Sequence, residues 1–386
     1  MGKVLFLPLN QNHVLIFHEI IKSLNCGYEV LCHDRISEAK QYHTESILRE
    51  KGVPYRHVSN KIFRSPNDVF FIKVMKFFKL KNELRSALDE IQPDLVVVAI
   101  DNDPIAQIVL NESKKRGIKT LLVPEGLIKQ DLITRDHYLS DYFYKVLRLL
   151  GIYIAYIKYG TGGCDKILVS GKKSLDILKK LGVKKEKMVM VGQQKYDSFL
   201  EKIRKEKPVS NEVKVYLYAA STRIFEEDGE IRLIGKIAES ANKLNLDLII
   251  KLHPRTPQKP EDLLTLIKTN GTLRLKIIKE GYETFEILKG VDAVITISSA
   301  IILEALMMDK ECIAANYLAG KRRFDYDSYN AFYSIESEEE IYDVLKESIL
   351  LKKSYENKKR LLEDELYKLD GKAGVRTAEI IESMIS

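Results

Sequence analysis

Short apolar runs alternate along the chain with longer segments in which apolar residues recur every three or four positions. The runs are KVLFLPL, EVLCHD, PDLVVVAI, KTLLVPE and DKILVS in the first half and VKVYLYAA, LDLIIKL, LRLKII, DAVITIS and KECIAA in the second. Short apolar runs predict buried strands, whereas the longer periodic segments predict helices. Strands that alternate with helices form βαβ units around a parallel sheet, so we predict an α/β fold.

The two series of strands are separated by SFLEKIRKEKPVSNE, a charged stretch that contains a proline. Stretches of this kind join domains, and a chain of 386 residues is too long for one small core. We predict two doubly wound, Rossmann-like domains, residues 1–207 and 208–386, which face each other across a cleft. The helical pattern from Ser337 onward should pack around the second domain, with a return of the chain end to the first domain as the alternative.

Composition and charge narrow the classes of function. Charged residues make up 30% of the chain and hydrophobic ones 45%, which is typical of a folded protein. The formal net charge of +7 is spread along the chain. It favours anionic small molecules or an anionic membrane surface over nucleic acid, for which no binding motif is present. The four cysteines lack the spacing of a zinc site or a disulfide framework, and no long uncharged stretch occurs. We expect a cytoplasmic protein without a membrane span.

Three strand ends of the second domain carry groups that suit phosphate. Ligands of parallel sheets bind at the carboxyl ends of strands. LIIKL is followed by His253 and Arg255, and the proline between them restricts the backbone around the imidazole. The guanidinium of Arg255 is a planar fork suited to phosphate oxygens. A capped strand end with an exposed arginine is the alternative interpretation.

The other two strand ends carry small hydroxyls. ITIS is followed by the start of a helix, which places Ser298 and Ser299 at a strand-to-helix turn, and VYLYAA is followed by Ser221, Thr222 and Arg223. Hydroxyls and free N–H groups at such a turn can hold a phosphate, although a plain serine N-cap is equally compatible with the pattern.

Several segments together resemble GT-B nucleotide-sugar enzymes of bacterial and archaeal surface polymers. They are LIIKLHPR, ITISSAIILEAL, GGCDKILVSGKKSLDILKKLGVKKEKMVMVGQQKYD and YKLDGKAGVRTAEII. The chain is similar to the CDP-glycerol glycerophosphotransferases, the bacterial polysialyltransferases and the capsule-polymer transferases, and more distantly to UDP-N-acetylglucosamine 2-epimerases. The resemblance extends from Gly162 to the end, and the part before it matches in topology alone.

This resemblance implies that His253, Ser298 and Ser299 contact the phosphates of a nucleotide-activated donor, and Arg255 and Arg223 follow by position. Glu304 lies in the helix after the serine pair, where its carboxylate would accept hydrogen bonds from ribose hydroxyls if it faces the same ligand. Otherwise Glu304 is a surface residue.

The catalytic base is expected from the first domain. An inverting transferase needs a group that removes the proton of the acceptor hydroxyl. Glu125 follows the strand KTLLV and is our first candidate, and Asp101 follows LVVVAI and is the second. His13, in the loop after the first strand, is the third candidate for a base or an acceptor contact. Asp103 precedes Pro104 and also fits a helix start.

We predict that the reaction needs neither a metal nor another cofactor. DND at residues 101–103 matches the DxD string of metal-dependent GT-A transferases. In a GT-B arrangement, however, cations, hydroxyls and helix N-termini neutralise the donor phosphates.

Residues 68–85 and 140–160 combine aromatic and aliphatic side chains with Lys and Arg. Such stretches suit peripheral contact with the inner face of a membrane, and core-facing helices are the alternative.

The sequence therefore predicts a metal-independent glycosyltransferase that uses a nucleotide-activated sugar, with a pyrimidine base, and a surface-glycan or lipid-linked acceptor. The alternatives are a CDP-glycerol-type glycerophosphotransferase, a UDP-N-acetylglucosamine 2-epimerase-like enzyme, or a binding protein that has lost catalysis.

Overall fold

A computed structural model of the protein describes the following residues: 2–32, 44–58, 69–128, 146–153, 157–206, 214–221, 224, 228–253, 256, 259–267, 274–279, 283–320 and 326–386. The chain forms two compact units. Unit 1 comprises Met1–Glu201 with Asp364–Ser386, and unit 2 comprises Lys202–Glu363. Four cysteines are free, and all but Cys26 are buried.

The strands of unit 1 are β1 Lys3–Leu7, β2 Gly27–Cys32, β3 Arg56–His57, β4 Leu95–Val98, β5 Lys119–Leu122, β6 Lys166–Val169 and β7 Met188–Met190. They form a parallel sheet in the order β3-β2-β1-β4-β5-β6-β7. The helices that begin in this part of the chain are α1 Gln11–Ile21, α2 Thr44–Glu50, α3 Phe70–Ile91, α4 Pro104–Lys115, α5 Lys172–Lys180 and α6 Asp197–Lys205.

Both faces of this sheet are covered. Leu5 and Leu7 of β1 belong to the core layer that contains residues of α3 and α4, whereas Val4 and Phe6 belong to the layer under α1. Successive side chains of a strand point to opposite faces, so a strand buried on both faces needs a continuous apolar run. This explains why the strands appear as apolar runs in the sequence.

The strands of unit 2 are β8 Val215–Ala219, β9 Asp247–Lys251, β10 Leu275–Ile278, β11 Ala293–Thr296, β12 Glu311–Ala315 and β13 Tyr333–Ile335. They form a second parallel sheet in the order β10-β9-β8-β11-β12-β13. Its helices are α7 Asp228–Lys243, α8 Pro260–Leu266, α9 Thr284–Lys289, α10 Ile301–Met307, α11 Asn316–Ala319, α12 Ile341–Leu350 and α13 Tyr355–Leu366. The predicted α/β class with two doubly wound parallel sheets is confirmed.

Each sheet has one point at which the strand order reverses. In unit 1 it lies between β1 and β4, and in unit 2 between β8 and β11. Ligands of doubly wound sheets bind at the carboxyl ends of the strands next to this point.

The last helix, α14 Ala373–Ile385, packs with unit 1, in contrast to the predicted domain range of 208–386. The carboxylate of Asp197 accepts hydrogen bonds from the N–H groups of Ala373 at 3.1 Å and Gly374 at 2.6 Å. Gly374 also approaches the Glu19 carbonyl so closely that a Cβ there would lie 2.8 Å from that oxygen. These long-range contacts attach the chain end to unit 1, the alternative that the helical pattern left open.

Within the described ranges, no helix is both long and apolar enough to cross a bilayer.

Candidate functional site

The carboxyl ends of three neighbouring strands of unit 1 lie in register. Leu7 of β1 pairs with Val98 of β4, and Val98 pairs with Leu122 of β5. Three residues beyond these positions stand Asn10, Asp101 and Glu125. The sheet therefore places three polar side chains at one edge, beside the reversal of strand order.

Glu125 is held by two donors from the loop and helix that follow β1. The Asn10 amide donates to Glu125 Oε2 at 2.9 Å, and Nε2 of His13 lies 3.0 Å from the same oxygen. The Glu125 side chain nevertheless keeps 40% of its surface exposed. Burial raises the pKa of Glu125, but the hydrogen bonds from His13 and Asn10 outweigh it, so the pKa lies below its usual value. The carboxylate is ionised at neutral pH and accessible, as a proton acceptor must be.

His13 is fully buried, and its two ring nitrogens face the Leu9 N–H and the Glu125 carboxylate. The Leu9 N–H donates to His13 Nδ1 at 3.0 Å, so the ring proton lies on Nε2, which faces Glu125. Asn10 caps α1 by accepting from the His13 N–H at 3.1 Å. An imidazole with Nδ1 occupied by a backbone donor has no lone pair left for a substrate proton. The geometry favours a positioning role for His13 over the expected role as a base.

The carboxylate of Asp101 binds a different loop, the one around Gly160. Asp101 is fully buried, and its carboxylate accepts from the N–H groups of Gly160 at 2.9 Å and Gly162 at 2.6 Å. A Cβ at Gly162 would lie 2.6 Å from the Asp101 carbonyl, so only glycine fits there. Burial raises the pKa of Asp101 to about 6 despite these hydrogen bonds. Both oxygens hold the loop around Gly160, which favours a structural role over the second-ranked catalytic one.

Asp103 accepts from the Ile105 N–H at 2.8 Å and caps α4, with Pro104 at the first helical position. The helix-start interpretation of this residue is confirmed. Among the residues that the structure describes, no group of three His, Cys, Asp or Glu side chains is arranged to hold a metal ion.

Gln193, a residue that the sequence reasoning missed, lies after β7 beside the Glu125 loop. Its amide donates to the Pro124 carbonyl at 3.4 Å, and the side chain is 3% exposed. Its Oε1 atom is buried and has no hydrogen-bond partner among the residues that the structure describes. Lys195, two residues further on, contributes to the lowered pKa of Glu125. The position of VGQQK directly after a strand could have indicated Gln193. Amide side chains, however, do not by themselves point to a particular chemistry in a sequence.

Unit 2 repeats the register pattern at its own carboxyl-end edge. Ala219 of β8 pairs with Lys251 of β9 on one side and with Thr296 of β11 on the other. Two residues beyond these three positions stand Ser221, His253 and Ser298. The structure thus brings three of the predicted residues to the ends of three adjacent strands, although no hydrogen bond joins them to one another among the contacts described.

Ser221 is committed to a buried glutamate. Its hydroxyl donates to Glu230 Oε2, and its N–H donates to Glu230 Oε1 at 2.8 Å. The Tyr218 hydroxyl donates to the same Oε1 at 3.0 Å. Glu230 is 1% exposed and was not singled out from the sequence. Because the hydroxyl proton of Ser221 is donated to Glu230, this hydroxyl does not serve as the phosphate donor that we expected.

The serine pair occupies the strand-to-helix turn as predicted. The Ser299 N–H donates to Thr296 Oγ1 at 3.1 Å, and Ser299 Oγ accepts from the Ile301 N–H at 3.4 Å. The N-cap residue of α10 is Ala300, so Ser299 lies one residue before the cap, and its hydroxyl proton is left to donate elsewhere. Ser298 is half-buried beside it.

Lys251 is a second functional candidate that the sequence reasoning missed. It is the last residue of β9, partly buried, and burial lowers its pKa while the nearby Glu304 raises it. Glu304 lies in α10 and is half-buried, so its carboxylate is near a cation at this edge. The lysine that interrupts the apolar run LIIKL was the available signal.

His253 is half-buried, and its carbonyl accepts from the Thr256 N–H at 2.9 Å. Arg255, Arg223 and Thr222 lie outside the described residues.

Comparison with known proteins identifies similar folds but no similar sequence family. It matches no protein-family model, and no curated protein matches it. Solved structures do match. The UDP-GlcNAc 2-epimerase of Neisseria meningitidis bound to UDP-GlcNAc is 14% identical, with a TM-score of 0.63 over 99% of each chain. The UDP-GlcNAc 2-epimerase of Methanocaldococcus jannaschii, in complex with UDP-GlcNAc and UDP, is 17% identical, with a TM-score of 0.61 over 99% of this chain and 100% of that one.

The glycotransferase of kitacinnamycin is 13% identical, with a TM-score of 0.62 over 100% of this chain and 99% of that one. At these identities the likeness establishes the fold, and the predicted GT-B class is confirmed.

Proposed function

We propose that the protein is a GT-B glycosyltransferase that moves a sugar from a nucleotide-activated donor to a hydroxyl of a surface-glycan or lipid-linked acceptor. The observation that carries the proposal is the in-register placement of His253 and Ser298 at the ends of β9 and β11, the strands on either side of β8, beside the strand-order reversal of unit 2. These two strands are two strand spacings apart, roughly 10 Å. That distance suits the diphosphate and ribose of a nucleotide.

In this proposal unit 2 holds the donor. Lys251, His253, Ser298 and Ser299 supply a cation, an imidazole and two hydroxyls, which are groups that neutralise or donate to phosphate oxygens. Glu304 accepts from ribose hydroxyls. The donor needs neither a metal nor a further cofactor, since these side chains carry the charge of the phosphates.

Unit 1 supplies the base. The Glu125 carboxylate takes the proton of the acceptor hydroxyl as that oxygen forms a bond to the anomeric carbon of the sugar. The bond between this carbon and the phosphate oxygen breaks, and the nucleoside diphosphate leaves with the electron pair. His13 and Asn10 hold one carboxylate oxygen, which leaves the other for the acceptor.

A thermal-shift screen of CMP, CDP, UDP, GDP and ADP tests the donor site. We expect a pyrimidine nucleotide to raise the melting temperature by several degrees, since a ligand at about 100 times its Kd stabilises the native state by about 2.7 kcal/mol. His253→Ala with Ser298→Ala should abolish most of that shift, whereas His57→Ala, on the edge strand β3 of unit 1, should leave it unchanged. No shift with any of the five nucleotides rejects the proposal.

A UDP-N-acetylglucosamine 2-epimerase is the second candidate, because structures of that enzyme match this chain over nearly its whole length. The two reactions differ in the need for an acceptor. Conversion of UDP-N-acetylglucosamine to its 2-epimer without an acceptor, followed by NMR, would support the epimerase and reject the transferase. A glycerophosphotransferase would instead transfer glycerol phosphate from CDP-glycerol, which mass spectrometry of the acceptor product distinguishes.

A further inference from the structure

Helix α3 has two apolar faces, which is unusual for a helix at the surface of a sheet. One face is buried in the core of unit 1 through Phe77, Leu80, Leu84, Leu88 and Ile91. The other face lies in the first turns and is exposed, with Phe71 at 71%, Ile72 at 42%, Met75 at 58% and Phe78 at 45%. Residues three and four positions apart share a helix face, so these side chains form one apolar strip.

A second exposed apolar segment lies beside this strip. In the turn at 146–150, Leu149 is 88% and Leu150 is 70% exposed. The turn is tied to α3 because the Lys81 ammonium donates to the Gly151 carbonyl at 3.2 Å, and the Phe77 and Tyr153 rings lie 6.3 Å apart. We call the exposed residues of both segments the apolar-basic surface: Val69, Phe71, Ile72, Met75, Phe78, Val146, Leu149 and Leu150, with the lysines and the arginine named below.

Within residues 69–82 and 146–150, every charged side chain is a cation. The stretch 69–82 contains Lys73, Lys76, Lys79 and Lys81 and no acidic residue, and the turn adds Arg148. The carboxylate of Glu112 acts on Lys81 electrostatically, but it is already paired with Lys115, Arg116 and Arg85. An exposed strip of aromatic and aliphatic side chains whose charged neighbours within 69–82 and 146–150 are all cations has the composition of segments that lie in a bilayer interface.

The surface lies toward the same edge of unit 1 as Glu125. Helix α3 leads back to the start of β4, so its first turns lie toward the carboxyl ends of the strands. Its 22 residues span about 33 Å, whereas the four residues of β4 span about 13 Å, so the first turns extend past the strand ends.

We infer that the apolar-basic surface binds an anionic lipid bilayer. Phe71, Met75, Leu149 and Leu150 enter the boundary between headgroups and acyl chains, and the lysines contact anionic headgroups. Of the 68–85 stretch, the structure describes residues 69–85: one face of this part forms core, as the alternative interpretation held, and we assign the other face to the membrane contact. For the proposed function, the contact would hold the enzyme where a lipid-linked acceptor resides; lipid binding itself does not depend on that function.

Cosedimentation of the full chain with vesicles tests this inference without nucleotide or acceptor. Vesicles of phosphatidylcholine with phosphatidylglycerol should bind the protein, and binding should weaken with salt, while pure phosphatidylcholine should bind it at least about tenfold more weakly. Leu149→Ser with Leu150→Ser should lower binding roughly tenfold. The matched control is Leu350→Ser with Leu351→Ser in unit 2, where the wild-type leucines are 71% and 58% exposed.

Neutralising charge provides an independent arm. Lys73→Gln, Lys76→Gln and Lys79→Gln together should weaken binding by about tenfold or more. The same loss of charge at Lys180, Lys184 and Lys185, exposed lysines elsewhere in unit 1, should leave it nearly unchanged. Melting temperatures confirm that each variant is folded.

Three results would overturn the inference: protein that stays in solution at every lipid composition, equal binding to neutral and anionic vesicles, or equal losses in the matched controls. Self-association that Leu149→Ser with Leu150→Ser abolishes, measured by sedimentation velocity without lipid, would assign the surface to a second copy of the chain instead. If the wild-type protein binds anionic vesicles but transfers no sugar, that result counts against the proposed function and leaves the lipid-binding inference intact.

Discussion

The carboxyl-end edges of the two sheets share a topology and differ in chemistry. In unit 1 the edge presents a carboxylate, Glu125, held by an amide and an imidazole. In unit 2 the edge presents a lysine, an imidazole and serine hydroxyls, and its buried carboxylate, Glu230, is saturated by Ser221 and Tyr218. One edge is therefore suited to accept a proton and the other to hold an anion.

The difference shows how one topology can carry different chemistry in its two copies. The backbone delivers polar side chains to equivalent places in both units, two or three residues after strands in register. What those side chains do is decided by their partners. A carboxylate with an open oxygen acts differently from one whose oxygens are both occupied, even at the same topological position.

The largest expected effect comes from removing the proposed base. Glu125→Gln keeps the side-chain shape and should lower turnover by about 100-fold to 10,000-fold, because an amide cannot accept the acceptor proton. Nucleotide binding, measured by thermal shift, should be unchanged, since the proposed donor site lies in unit 2. Glu186→Gln, at an exposed position of unit 1, is the control. Full activity of Glu125→Gln would remove the functional contrast between the edges.

The second largest expected effect is on nucleotide binding, through Lys251 at the end of β9. Lys251→Met keeps the length of the side chain and should weaken nucleotide binding by about tenfold, since a charge-assisted hydrogen bond is lost. Lys276→Met, at an exposed position of the neighbouring strand β10, should have little effect. Isothermal titration calorimetry measures both, and equal affinities of Lys251→Met and the wild type would exclude Lys251 from the donor site.

A smaller effect is expected for His13, which we regard as a positioning residue. The hydrogen bond from His13 lowers the pKa of Glu125, so His13→Phe should raise that pKa. The base works when ionised, and the acidic limb of the pH–rate profile should therefore move to higher pH, with a modest loss of kcat. A residue that acted through stability alone would lower activity equally at all pH values and leave the limb in place.

The smallest effect is a pH dependence of stability from Asp101. Its pKa is raised to about 6 in the folded chain, so between about pH 4 and pH 6 the unfolded state binds fewer protons than the folded state. The contribution of Asp101 to the free energy of unfolding is therefore fully present below the pKa that Asp101 has in the unfolded chain. It is lost as the pH rises through 6. Asp101→Asn removes it, and the difference between wild type and variant in urea unfolding should change by roughly 2 kcal/mol or less over this window. Asp176→Asn, at an exposed position of α5, is the control. A difference that does not vary with pH would contradict the assignment.

Much of the fold was predictable because it depends on short-range pattern. LVVV of β4 and AVIT of β11 are fully buried strands, and each was found as an apolar run. The positions of Glu125, His253 and the serine pair followed from one rule, that residues after parallel strands reach the ligand edge.

The partners of those residues were not predictable. Asn10 and Glu125 meet although they are 115 residues apart in the chain and their strands flank β4. From the sequence, Asp101 and His13 were the second and third catalytic candidates after Glu125. Burial and hydrogen bonding separate the three, and neither can be obtained from spacing along the chain.

The sequence by itself determined two parallel α/β sheets and several of the polar residues at their edges, because apolar runs and periodic segments encode strands and helices locally. Only the tertiary structure decided which of those residues keep an open hydrogen-bonding position and that the last helix packs on unit 1. The reason is that both depend on contacts between distant segments, such as Asp197 with Ala373 and Gly374, which no local pattern specifies.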